Sequence, residues 1–120
     1  MQKDRLSGIS AEFKRALSDI IKNDIDDPRV SEMASVTHVE LSRDLKYAKA
    51  YISVYDTEKM KKSTIETLGH AEHFIKNEIG SHIRIRRLPQ IKFILDTSIE
   101  YSSRISEMLK EVSDDGSKSD

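Results

Sequence analysis

The sequence predicts an α+β fold: a three-stranded mixed sheet with helices packed on one face, in the order helix-strand-strand-helix-helix-strand-helix. Three observations carry this. Residues 10–23 repeat apolar side chains at the three-and-four spacing of one helix face. Residues 37–54 change to a period of two, interrupted once by a short polar turn. A long helical stretch then separates that alternation from a last alternating run, Ile91, Phe93 and Leu95. A crossover of that length joins parallel strands.

The first helix is expected from about Ser10 to Asn23, with Phe13, Ala16, Leu17, Ile20 and Ile21 as its buried stripe. Ser10 suits an N-cap, and Asp27-Pro28 lies past the helix end. Thr37, Val39 and Leu41 should share one side of the first strand. After the turn Ser42-Arg43-Asp44-Leu45, the residues Ala48, Ala50, Ile52 and Val54 should share one side of the second, with Lys49, Tyr51 and Ser53 on the other. The short link makes these strands an antiparallel hairpin. Asp56 or Thr57 caps the next helical stretch, whose apolar series is Ile65, Leu68, Phe74, Ile75 and Ile79. Gly69 weakens a continuous helix by about 1 kcal/mol relative to Ala, so the stretch reads as two helices or one kinked helix. Pro89 stops any remaining helix, and the third strand should run parallel to the second through a right-handed connection. Thr97 or Ser98 caps a final helix carrying Ile105, Met108 and Leu109. Residues 113–120 offer no apolar side chain and read as a disordered acidic tail after one domain spanning 1–112. This layout leaves the sheet face bearing Lys49 and Tyr51 free of helices.

Composition removes several functions. The absence of cysteine excludes disulfides, thiolate zinc sites and thiol nucleophiles. No apolar run approaches the roughly 20 residues of a membrane span. Met1-Gln2-Lys3-Asp4-Arg5 leads into no apolar signal core, so a cytoplasmic protein without membrane contact is expected. No phosphate loop, nucleophile elbow or His-Glu-x-x-His is present, which leaves no reason to propose an enzyme, a small-molecule substrate or a cofactor.

The net charge of −1 conceals segregation. Residues 69–95 carry five Lys/Arg against two acids, whereas residues 96–120 carry three against seven. Such a chain can present a basic face to phosphate while staying near neutral overall, although a mixed solvated surface has the same composition.

Longer segments then point to a family. Asp27-Pro28-Arg29, the strand–turn–strand run from Val36 to Ser53, Phe74 to Gly80, Ile83 to Phe93, and Asp96-Thr97-Ser98 with Arg104-Ile105 occur in one order over about Met1 to Leu109. Together they resemble the ribosome-binding factor A family, whose fold is a type II KH-like domain. The resemblance implies a monomer that binds the immature small ribosomal subunit and its ribosomal RNA. It implies a role in late maturation, including 5′-end processing of that RNA, exerted by binding rather than catalysis. The family lacks the Gly-x-x-Gly loop with which ordinary KH domains clamp a nucleic-acid backbone, and so does this chain. Where the family has Ala-x-Gly at its helix kink, this sequence has Ala71-Glu72-His73.

Several cations are candidates for RNA contact. On an ideal helix His73, Lys76, Gly80, Arg84 and Arg87 fall within about 80° of one another, a basic stripe suited to phosphate. The alternation Ile83-Arg84-Ile85-Arg86 would instead end the helix earlier and leave an ordinary solvated surface. Arg86, the turn residues Arg43 and Lys46, and Lys3 and Arg5 at a flexible N-terminus complete the RNA-binding set. Tyr47, Lys49, Tyr51 and Tyr55 on the outer side of the second strand are compatible with base stacking, or with merely covering the sheet. His70 and His73 lack a third ligand at convincing spacing, and Asp24, Asp26 and Asp27 read as a solvated turn, so no metal is expected. The competing reading is a protein–protein adaptor that docks through a sheet edge or the acidic C-terminal helix.

Overall fold

The computed structural model describes residues 2–98, with side chains from Leu6 onward. The elements are α1 (Gln2–Asn23), β1 (Ala34–Leu41), β2 (Tyr47–Val54), α2 (Glu58–His70), α3 (Glu72–His82) and β3 (Gln90–Leu95). The expected final helix and acidic tail lie outside the described residues, while Ser98 N–H donates to Asp96 Oδ1 at 2.9 Å where that helix was expected to begin.

β1 and β2 pair antiparallel, and β2 pairs parallel with β3, giving the sheet order β1-β2-β3. One face is buried. Ala48, Ala50, Ile52 and Val54 of β2 and Ile91 and Phe93 of β3 meet Phe13, Leu17 and Ile20 of α1, Leu68 of α2, and Ile75 and Ile79 of α3. α1 packs on β1 and α3, and α2 packs on β2 and β3. This is the expected α+β, type II KH-like arrangement. The opposite face carries Lys49, Tyr51 and Ser53 outward.

Four local expectations are corrected. α1 begins eight residues before Ser10, so Ser10 is no N-cap, and Lys3 and Arg5 lie within the helix. The apolar stripe simply continues backward through Ile9 and Leu6, both half-buried, and Gly8 faces open space where its small size costs little packing. In β1 the register shifts between Val36 and His38, a β-bulge at Thr37. Val36 and Val39 are therefore the buried pair, and Thr37 leaves the expected row to donate its hydroxyl to Asp96. Phe74 is 46% exposed, because its neighbour Ile75 occupies the core-facing position of α3. The fourth difference is that α3 stops at His82, short of the arginines expected to extend it.

The two-helix reading holds. Thr57 Oγ1 accepts the Met60 N–H at 3.2 Å and caps α2. Ala71, at φ −90° and ψ 7°, separates α2 from α3. The break is thus a single residue, and Glu72 and His73 open α3. The loop before β1 is tied to α2: the Ser31 N–H donates to buried Thr64 Oγ1 at 2.9 Å, and the Ser31 hydroxyl donates to Asp56 at 2.8 Å.

Candidate nucleic-acid interface

The hairpin turn is locked by its own side chains. Ser42 Oγ donates to Asp44 Oδ1 at 2.8 Å, Asp44 accepts the Lys46 N–H at 3.1 Å, and Ser42 Oγ accepts the Tyr47 N–H at 3.0 Å. The Ser42 hydroxyl, followed by the Lys46 amide, holds the Asp44 carboxyl below its ordinary pKa. Leu45 adopts φ 59°, a left-handed conformation that costs a non-glycine residue about 1–2 kcal/mol. This fixed turn holds Arg43 and Lys46 in the solvent.

The stripe predicted along α3 is corrected. α3 ends at His82, and Ile83 is extended at φ −132° and ψ 151°. Arg84, Arg86 and Arg87 therefore leave the helix. The physical reason lies in the sequence: Ile83 and Ile85 are β-branched, alternate with arginines, and precede Pro89. Ile83, Ile85 and Leu88 pack inward against the core, which turns Arg84, Arg86 and Arg87 outward. The chain then retraces α3. Glu72, Lys76 and Gly80 lie at i, i+4 and i+8, on one helix face. Glu72 Oε2 accepts the Ile91 N–H at 2.8 Å, and a Cβ on Gly80 would stand 3.2 Å from a Leu88 methyl. Gly80 is therefore the seat of Leu88, and Lys76, one turn before it, is half-buried. His73 remains exposed at the start of α3.

The sheet brings two cation-bearing segments to one end. The Gln90 N–H donates to the Lys46 carbonyl at 2.9 Å, and Tyr47 is the Cα partner of Gln90. The segment that ends in Arg86 and Arg87 thus enters the sheet beside the turn that carries Arg43 and Lys46. Arg84 sits apart, in a cleft with His82 and with Glu12, Arg15 and Asp19 of α1. Sequence reading missed Lys92, which the parallel register sets beside Lys49, and it missed Glu72 as the acceptor that covers a β3 edge amide. The Lys92 alternation with Ile91 and Phe93 was the available signal.

His70 and His73 are both exposed. Asp24 meets Glu78 and His82 instead, with one potential ligand atom from each within 4.8 Å of the others. Exposed acidic groups commonly gather this way without an ion. Asp27 is engaged by Arg29, whose Nε and Nη2 donate to its two oxygens at 3.0 and 2.7 Å and lower its pKa to about 2.

Residues 5–109 match the family model described as ribosome-binding factor A. A protein of that name from Caldanaerobacter subterraneus subsp. tengcongensis is 46% identical over 104 residues, covering 87% of this chain and 85% of its own. The crystal structure of ribosome-binding factor A from Thermus thermophilus aligns at a TM-score of 0.67 with 28% identity, covering 75% of this chain and 93% of that one. A Thermus thermophilus homology model fitted into the cryo-EM map of a complex of 30S with that factor aligns at 0.64 with 27% identity, over 75% and 93%.

Proposed function

The chain belongs to the ribosome-binding factor A family, and on that premise we propose that it is an assembly factor that binds the immature small ribosomal subunit through ribosomal RNA. It supports late maturation and 5′-end processing by binding, with no catalytic step of its own, as a cytoplasmic monomer that needs no cofactor, membrane or small-molecule substrate. The relative fitted into a 30S complex supports this partner. The observation that carries the reading is that the segment of Arg86 and Arg87 enters the sheet beside the turn of Arg43 and Lys46, with all four side chains exposed. Exposed cations on a rigid turn meet phosphates at little ordering cost, and they carry no sequence information. A factor of this kind favours the RNA conformation for which its affinity is greater.

Reversing Arg86 and Arg87 to Glu should weaken co-sedimentation with small subunits while circular dichroism stays native. The slope of log affinity against log salt should fall by about one unit for each phosphate no longer neutralised. Unchanged affinity in a natively folded variant would remove these arginines from the interface.

The adaptor reading keeps one observation. A cleft beside the start of β1 is lined by Ile21, Ile25, Met33 and Met60, with Asp26 and Glu32 at its margin. Binding of a protein there, insensitive to salt, would favour that reading. The acidic C-terminal helix named as its other route lies outside the described residues.

A further inference from the structure

The open face of the sheet has an order that strand register makes explicit. Across the three strands one row is His38, Tyr51 and Ile94, and the next is Glu40, Lys49 and Lys92. Tyr47 and Gln90 then follow at the end where the hairpin turn stands. Aromatic and cationic positions therefore alternate along β2, with Tyr55 81% exposed just past its end.

The charges on this face are unequally engaged. Glu40 is the Cα partner of Lys49, yet its carboxylate is directed elsewhere: Oε2 accepts the Tyr51 hydroxyl at 3.3 Å, and Oε1 lies 3.8 Å from His38 Nε2. Among the described residues no carboxylate pairs with Lys49 or Lys92. Like charges set side by side on neighbouring strands repel, and an anion between them relieves that repulsion. Tyr51 is held in one orientation by Glu40 and by the His38 ring, whose centroid is 5.7 Å from its own. Tyr47 is 59% exposed and offers its ring to solvent. A positioned ring, an open ring and two cations without a carboxylate partner among the described residues suit a single strand, whose splayed bases stack while its phosphates seek cations. A duplex keeps its bases stacked inside and has nothing to offer the rings.

We propose that this face is a binding platform for single-stranded RNA, with Tyr47 and Tyr51 stacking bases and Lys49 and Lys92 holding the phosphates between them. It deepens the reading given above, on which it rests, by naming a class of RNA and a second surface. The platform is continuous with the cations of the hairpin turn through Tyr47, Gln90 and Lys46. One RNA segment can therefore pass from the turn onto the sheet.

The chain has no tryptophan and four tyrosines, three of which stand on or beside this face, so tyrosine fluorescence reports on it directly. Titration of the full chain with a single-stranded oligouridine should quench that fluorescence saturably, and a hairpin duplex of equal length should not. Tyr47→Ala should weaken oligonucleotide binding by about five- to hundredfold. Lys49→Ala with Lys92→Ala should lower the salt slope by about 1.4 units for two phosphates of a single strand, with native circular dichroism. No quenching, an unaltered affinity in the double lysine variant, or a preference for the duplex would overturn the platform. So would a double variant that keeps oligonucleotide affinity but no longer binds subunits, since the face would then serve a ribosomal protein. A chain that co-sediments with subunits but ignores the oligonucleotide overturns this inference alone. Failure to co-sediment would overturn the assembly-factor reading itself.

Discussion

The Ser31 amide and Thr64 hydroxyl are both buried, and each is the partner of the other. Thr64→Val keeps the shape and removes the acceptor, which strands a buried N–H. The expected cost is about 1–3 kcal/mol, read from denaturant midpoints, and an unchanged midpoint would mean that water reaches Ser31. Acid should act on the same scale. Among the described residues four carboxyls are held below their ordinary range: Asp27 chiefly by the Arg29 side chain, Asp44 by Ser42, Asp56 by the Thr57 amide, and Asp96 by the Thr37 hydroxyl. A depressed carboxyl contributes stability above its unfolded value near 4, and this is lost as pH falls through the folded value, about 2 for Asp27. The thermal midpoint should therefore fall between pH 4 and pH 2, and Thr37→Val should flatten the part of that fall due to Asp96. The Ser31–Thr64 and Thr37–Asp96 pairs were not legible in the sequence, because their members are 33 and 59 positions apart and meet only once the fold is packed.

Among the elements, what periodicity could and could not reveal has physical causes. The buried row of β2 was legible because Ala48, Ala50, Ile52 and Val54 repeat without interruption. Thr37 departs from the alternation because a bulge inserts one residue and reverses it, and a hydroxyl fits either side of a strand. The basic stripe does not form because past His82 the β-branched residues and Pro89 favour extended chain. At the α2–α3 junction Ala71 is half-buried and packs against the core. Ala71→Leu should overpack it and cost about 1–3 kcal/mol. His73 lies in the first turn of α3 and is exposed, so His73→Gly should cost up to about 1 kcal/mol. Paired denaturation curves test both, and a tolerated leucine would mean that the junction has room to spare.

Over the whole molecule, the segregation of charge anticipated a basic end, and the structure explains how it forms. The crossover returns β3 beside the hairpin, so the Arg86-Arg87 segment and the Arg43–Lys46 turn share one end of the sheet although they are about forty residues apart. The α+β order was legible because each element carries its own period. The meeting of the cations was not, because it depends on which strand β3 joins. The central claim is that this basic end, and the sheet face leading from it, bind ribosomal RNA in the unfinished small subunit. The most direct measurement is co-sedimentation of the chain with immature and mature small subunits over a range of salt. Binding should be tighter to immature subunits, with log affinity falling linearly in log salt with a slope of several units. Binding that ignores salt, or that fails to distinguish the two kinds of subunit, would contradict it.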